Sequence, residues 1–113
     1  MTLQTASVDG IFRALSDATR RSVVERLGVR PASVSELAAP YGMALPSFAE
    51  HLKVLEGAGL VRSRKVGRVR TYELEIEQFK LVDDWLQRQR SMWERRLDRL
   101  DAYLEALNKE RSK

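Results

Sequence analysis

The sequence contains no cysteine, which removes disulfides, thiolate nucleophiles and sulfur-ligated metal sites together. Its single histidine, His51, lacks the companions that a metal site or a catalytic triad requires, so it reads as structural filler. No Ser/His/acid spacing, glycine-rich phosphate loop or inward pair of carboxylates appears, and neither enzymatic activity nor a cofactor or bound metal is expected. Nowhere do about twenty apolar residues run without interruption. The opening MTLQTASVDGIF has neither a basic leader nor a long apolar core, so the chain is expected to be cytoplasmic, neither secreted nor membrane-spanning. Low-complexity tracts, internal repeats and long linkers are absent as well.

What remains is 113 residues with 43% hydrophobic and 32% charged side chains, enough for one core but not two. A single domain over 1–113 is expected, with a core over about 8–74 and one long helix over about 76–108. The net charge is +4, which by itself is weak grounds for a polyanionic partner. Its distribution is more telling. Arg62, Arg64, Lys65, Arg68 and Arg70 follow one another without an acid, and Glu73, Glu75 and Glu77 come directly after.

Taken in order, residues 8–15 predict a short helix with Ile11, Phe12 and Leu15 on one side. Asp17 caps a second helix that runs to Leu27, with Val23, Val24 and Leu27 inward, Arg20, Arg21 and Arg26 outward and Gly28 as its stop. Ser33 and Glu36 spell a capping box for a short third helix over 34–41. Gly42 then turns the chain into the segment MALPSFAEHLKVLEGAG. Here Phe48, Leu52 and Leu55 fall on one helical face, while Ala44, Leu45, Ser47, Ala49 and Glu50 stay outside. Two helices joined by so short a turn, the second with small exposed residues at its front, read as a helix-turn-helix. Such a front lets a backbone approach the DNA major groove.

After Gly59 the period changes to two. LVRSRKV and VRTYELE alternate around Gly67 as a hairpin of two strands, with Leu60, Val69, Tyr72 and Leu74 as the inward members. The last helix, about 77–108, carries Phe79, Val82, Leu86, Trp93, Leu97, Leu100, Leu104 and Leu107 at steps of three and four. Gln89 interrupts that seam. A seam too long for the other helices to cover predicts a second copy as its partner. Trp85, Trp93 and Tyr103 read as part of this seam in preference to an effector pocket. Asp83, Asp84, Glu94 and Asp98 read as partners of Arg88, Arg90 and Arg95 along the exposed face.

The residues assigned to double-stranded DNA follow. Ala44, Leu45, Ser47, Ala49 and Glu50 are expected to read bases. Ser47 would donate or accept at a base edge, Glu50 accept from a cytosine amino group, and Leu45 and Ala49 meet thymine methyls. Arg20, Lys53, Arg64, Lys65, Arg68 and Arg70 are expected to hold phosphates. Phe12, Trp85, Trp93, Leu97, Leu100 and Leu104 are expected at a homodimer interface.

With this order in hand, the wording of residues 12–27 (FRALSDATRRSVVERL), 33–38 (SVSELA), 51–61 (HLKVLEGAGLV) and 66–74 (VGRVRTYEL) resembles the ArsR family of bacterial winged-helix repressors. The resemblance covers about two thirds of the chain. It implies a mainly α fold with a β-hairpin wing, a winged helix-turn-helix dimerising through its first and last helices. It also implies a homodimeric repressor at a pseudo-palindromic operator, often in its own promoter. Many members sense metals through cysteines in the third helix or His and acidic residues in the last. This chain has neither set and is similar to a cysteine-free branch that does not sense metals. Two rival functions stay open. One is a winged-helix module that binds protein through the long apolar helix, and the other is a sensor with an effector pocket between the C-terminal helices, for which the sequence names no small molecule.

Overall fold

The computed structural model describes residues 7–112. The order of elements is α1 (Val8–Leu15), α2 (Ala18–Val29), β1 (Ala32–Ser33), α3 (Val34–Ala38), α4 (Leu45–Gly57), β2 (Val61–Val66), β3 (Val69–Leu74) and α5 (Phe79–Arg111). It is a mostly helical chain with an antiparallel hairpin wing. Two compact units meet in sequence between Val82 and Asp83.

The first unit owes its core to positions that repeat at helical or strand spacing. Ile11 and Ala14 from α1, Val23 and Leu27 from α2, Leu37 and Ala38 from α3, Phe48, Leu52 and Leu55 from α4 are buried, together with Leu60, Val61 and Tyr72 around the sheet. The helices are stopped and started by side-chain chemistry. Ser7 accepts from the Gly10 amide, Asp17 from the Arg20 amide and Ser33 from the Glu36 amide. The Glu36 carboxylate returns the bond to the Ser33 amide at 2.9 Å, completing the capping box. At the far end of α4 the Leu60 amide donates to Leu55 O and the Gly59 amide to Glu56 O. This is the Schellman arrangement, which requires the left-handed φ of 79° at Gly59.

Several expectations need correction. Gly28 does not end α2, which runs one residue further, to Val29. No left-handed residue is needed there because Arg30 leaves the helix in an extended conformation. The third helix is α only over five residues and tightens into a 3-10 turn at Ala39–Tyr41, where Pro40 sits in the first turn. On α1 the buried pair is Ile11 and Ala14, while Phe12 is 42% exposed and Leu15 half-buried. Val24 is only half-buried. The sheet has three strands in the order β1-β3-β2, because Ala32 and Ser33 pair with Tyr72 and Thr71. Two residues of extended chain between Pro31 and a capping box carry no periodic signal, so β1 was invisible to pattern. Val69 is 52% exposed, not inward. It pairs with Val66 next to the turn, beyond the end of the core.

The second unit is the body of α5, a 33-residue helix preceded by a 3-10 turn at Ile76–Gln78. No residue of α5 is buried. Trp93, Leu97, Leu100, Leu104 and Leu107 are exposed at steps of three and four. The expected ion pairs of Asp83, Asp84, Glu94 and Asp98 do not form among the described residues. Long solvated side chains gain too little from such pairs to be held in one geometry.

The caps make a pH prediction. The Arg20 amide bonded to Asp17 holds that carboxyl below its ordinary range. The Ser33 amide and hydroxyl do the same for Glu36. A depressed folded-state pKa stabilises above the unfolded pKa, and the gain is lost as pH falls through the folded one. Thermal melts should therefore fall between about pH 5 and pH 3. Asp17→Asn keeps a cap oxygen but cannot titrate, so it should keep most of its melting temperature at pH 7 and show a shallower acid limb. An acid limb as steep as that of the parent would contradict the assignment.

Candidate nucleic-acid interface

The residues that lead into α4 set its character. Gly42, at φ 61°, releases the chain from the 3-10 turn. Ala44 takes the N-cap position with no side-chain hydrogen bond, and Pro46 occupies the first turn. Core residues Phe48, Leu52 and Leu55 anchor one face, and the Phe48 ring stacks on Tyr41 with centroids 5.4 Å apart. The opposite side then presents Ala44, Leu45, Ser47, Ala49, Glu50 and Lys53, all exposed. Ser47, Glu50 and Lys53 have no hydrogen-bond or ionic partner among the described residues.

Arg20 behaves differently from the other expected phosphate ligands. Its Nε donates to Ala14 O at 2.6 Å, its Nη2 to Arg13 O, and its Nη1 to His51 Nδ1 at 3.2 Å. All three nitrogens are thus committed inside the first unit, where Arg20 ties the end of α1 to the middle of α4. A permanently charged guanidinium can only donate, so His51 Nδ1 is the acceptor in this contact. Asp17 Oδ2 lies 3.7 Å from the same nitrogen. His51 is half-buried in this clasp.

The wing divides its cations by strand register. Cross-strand partners share a face, so Val61, Ser63 and Lys65 lie with Leu74, Tyr72 and Arg70, on the face that buries Val61 and Tyr72. Arg62, Arg64 and Val66 lie with Glu73, Thr71 and Val69 on the other. Gly67, at φ 64°, and Arg68 form the two-residue turn. A glycine at the first central position is what a type II′ hairpin requires. Arg62 is neutralised within the strand pair: its Nε lies 2.6 Å from Glu73 and 3.1 Å from Glu75, and these carboxylates raise its pKa. Arg70 donates to Ser63 Oγ at 2.8 Å, and Ser63 Oγ donates to Glu56 at 3.1 Å, linking the wing to the end of α4. Sequence reasoning missed this chain, although the alternation around Gly67 already puts Ser63 and Arg70 on one face. Arg64, Lys65 and Arg68 are exposed and without partners among the described residues.

Of the expected interface residues, Phe12 and Trp85 make contacts of their own, Trp85 being half-buried and Phe12 exposed. Trp93, Leu97, Leu100 and Leu104 are exposed on α5. Among the described residues no three His, Asp or Glu side chains gather as a metal site, and no helix is long and apolar enough to cross a membrane.

Comparison with known proteins agrees with this architecture. Residues 15–64 match a family described as a helix-turn-helix domain. The chain is 45% identical over 69 residues to the HTH-type transcriptional regulator Rv2034 of Mycobacterium tuberculosis, covering 61% of this chain. It spans only 64% of the length of that relative. The crystal structure of an ArsR family transcriptional regulator is 53% identical, with a TM-score of 0.75 over 77% of this chain and 96% of the other. An ArsR-like transcriptional regulator from Rhodococcus sp. RHA1 is 35% identical, with a TM-score of 0.71 over 81% of this chain and 87% of its own. Helix-turn-helix, three-stranded sheet with its hairpin wing and these likenesses together make the chain a member of the ArsR family of winged helix-turn-helix transcriptional regulators.

Proposed function

We propose that the protein is a homodimeric, sequence-specific DNA-binding repressor that occupies a pseudo-palindromic operator in its own or a neighbouring promoter. The observation that carries this reading is the partnerless polar pair Ser47 and Glu50 on the exposed front of α4, together with three partnerless wing cations. Ser47 and Glu50 meet base edges, Ala49 lies against the groove, and Lys53, Arg64, Lys65, Arg68 and Arg70 serve phosphates. Lys65 and Arg70 sit directly opposite each other on one face of the wing. Like charges in that position repel, and a phosphate between them would relieve the cost. Arg20 contributes by holding α4 in place. The apolar stripe of α5, with Phe12 and Trp85, forms the interface with the second copy. Two-fold symmetry then presents two α4 fronts to half-sites about one DNA turn (~34 Å) apart.

Titration of the protein against its upstream promoter, with a scrambled duplex as control, tests the reading. Equal affinity for both at every salt concentration would defeat it. Within this reading, Arg68→Ala should lower the slope of log K against log salt by about one and weaken cognate and random DNA alike. Arg62→Ala, whose guanidinium is already paired, should change that slope by well under half as much. Equal slopes for the two variants would mean the wing does not divide its cations as proposed.

A further inference from the structure

The front of α4 breaks a rule that the three preceding helices keep. Ser7, Asp17 and Ser33 each cap their helix with a side-chain oxygen, whereas Ala44 offers none. A polar cap is the stabilising choice, worth a measurable part of a small domain's stability. Instead Ala44, Leu45 and Pro46 place three exposed apolar residues in succession, and Leu45 keeps 57% of its surface in solvent at the first helical position. Nothing in the core needs a leucine there. The helix also lacks every side chain suited to two-bond recognition of a purine in the groove: Leu45–Gly57 contains no Arg, Asn or Gln. Its sole lysine, Lys53, lies two turns along from that front. A local rule broken without a packing gain marks a functional surface.

We infer that Leu45 reads the 5-methyl group of a pyrimidine, so that one operator position is chosen by its methyl substituent and not by its hydrogen-bonding pattern. The inference rests on the DNA-binding reading above and names what its front selects. In the major groove, thymine alone among the four unmodified bases carries a methyl, and contact with an apolar side chain distinguishes it from cytosine. The 5-methyl group of 5-methylcytosine occupies the same place on the ring, so this position accepts thymine or 5-methylcytosine and discriminates against uracil and cytosine. The missing cap follows from the same demand, since a Ser or Asp at position 44 would put a polar group where a methyl must be desolvated.

The test uses the full chain and duplexes that it enriches from a random 20-base-pair library. In an enriched duplex each thymine is replaced singly by deoxyuridine, which removes one methyl and keeps every hydrogen bond. One position per half-site should lose about 4-fold in affinity. A 5-methylcytosine·guanine pair there should bind within about 2-fold of the parent, against a larger loss for unmethylated cytosine. Leu45→Ala, which removes the contact from both copies, should bind the parent duplex about 16-fold more weakly and no longer distinguish thymine from deoxyuridine at that position. Ala44→Ser should melt about 4 °C higher, as a helix that has regained its cap. Enrichment of no duplex would remove the DNA-binding reading and this inference with it. Enriched duplexes that tolerate deoxyuridine everywhere would leave DNA binding intact and overturn the inference. So would a deoxyuridine penalty that survives in Leu45→Ala, which would assign the methyl contact to another residue.

Discussion

Leu100→Asp is expected to turn the protein into a monomer and to abolish tight operator binding. Leu100 lies in the middle of the α5 stripe, exposed like Trp93, Leu97 and Leu104 around it. In a two-fold pair each copy buries its own Leu100, so a single substitution puts two carboxylates into one apolar seam. Removing an ion from water without a partner costs several kcal/mol. Even about 3 kcal/mol raises the dissociation constant of the dimer more than 100-fold. Light scattering should then report the 13.0 kDa chain mass in place of twice that value. DNA affinity should fall with it, because a second half-site contact is no longer held at high effective concentration. Ala102→Asp is the control: two residues on, about 200° around the helix, the same charge points away from the stripe. It should remain a dimer and bind normally. A dimer of unchanged mass in Leu100→Asp would show that the copies meet elsewhere.

Phe48→Ala should cause the largest loss of stability. Phe48 is fully buried, belongs to the central cluster that joins α1, α2, α3 and α4 to the sheet, and stacks against Tyr41. Truncating such a ring removes its transfer energy and leaves a cavity that neighbouring helices cannot fill without moving, at about 3–5 kcal/mol. A domain of this size has about 5–15 kcal/mol in total. The melting temperature should drop by about 15 °C or more, read by circular dichroism at 222 nm, a band of helical peptides. Phe48→Leu keeps most of the volume and should cost much less. Because Phe48 lies between Ser47 and Ala49, the cavity should also loosen the front of α4 and weaken operator binding even where the variant is still folded. A Phe48→Ala protein that melts within a few degrees of the parent would mean the ring is not the keystone described.

The contrast between Arg20 and Arg68 shows how far pattern reaches. Both are arginines, and both were expected on phosphate. Arg68 stands at a glycine turn without a partner among the described residues. Arg20 follows a helix cap and can reach carbonyls at the end of α1, a place that only folding brings within 2.6 Å of it. Arg62 repeats the lesson, since its acids lie eleven and thirteen positions away and become neighbours only through the hairpin register and the turn after it.

The residues alone determined that there would be helices at these places, a turn at Gly42, a hairpin at Gly67 and an apolar stripe along α5. Each of these depends on periodicity, capping or backbone freedom within a few neighbouring positions. Only the tertiary structure decided that β1 joins the sheet, that Ala14 and not Phe12 fills the core, and which cations are spent inside the protein. Those outcomes turn on groups distant along the chain competing for the same hydrogen bonds and the same space, a contest that no local pattern records.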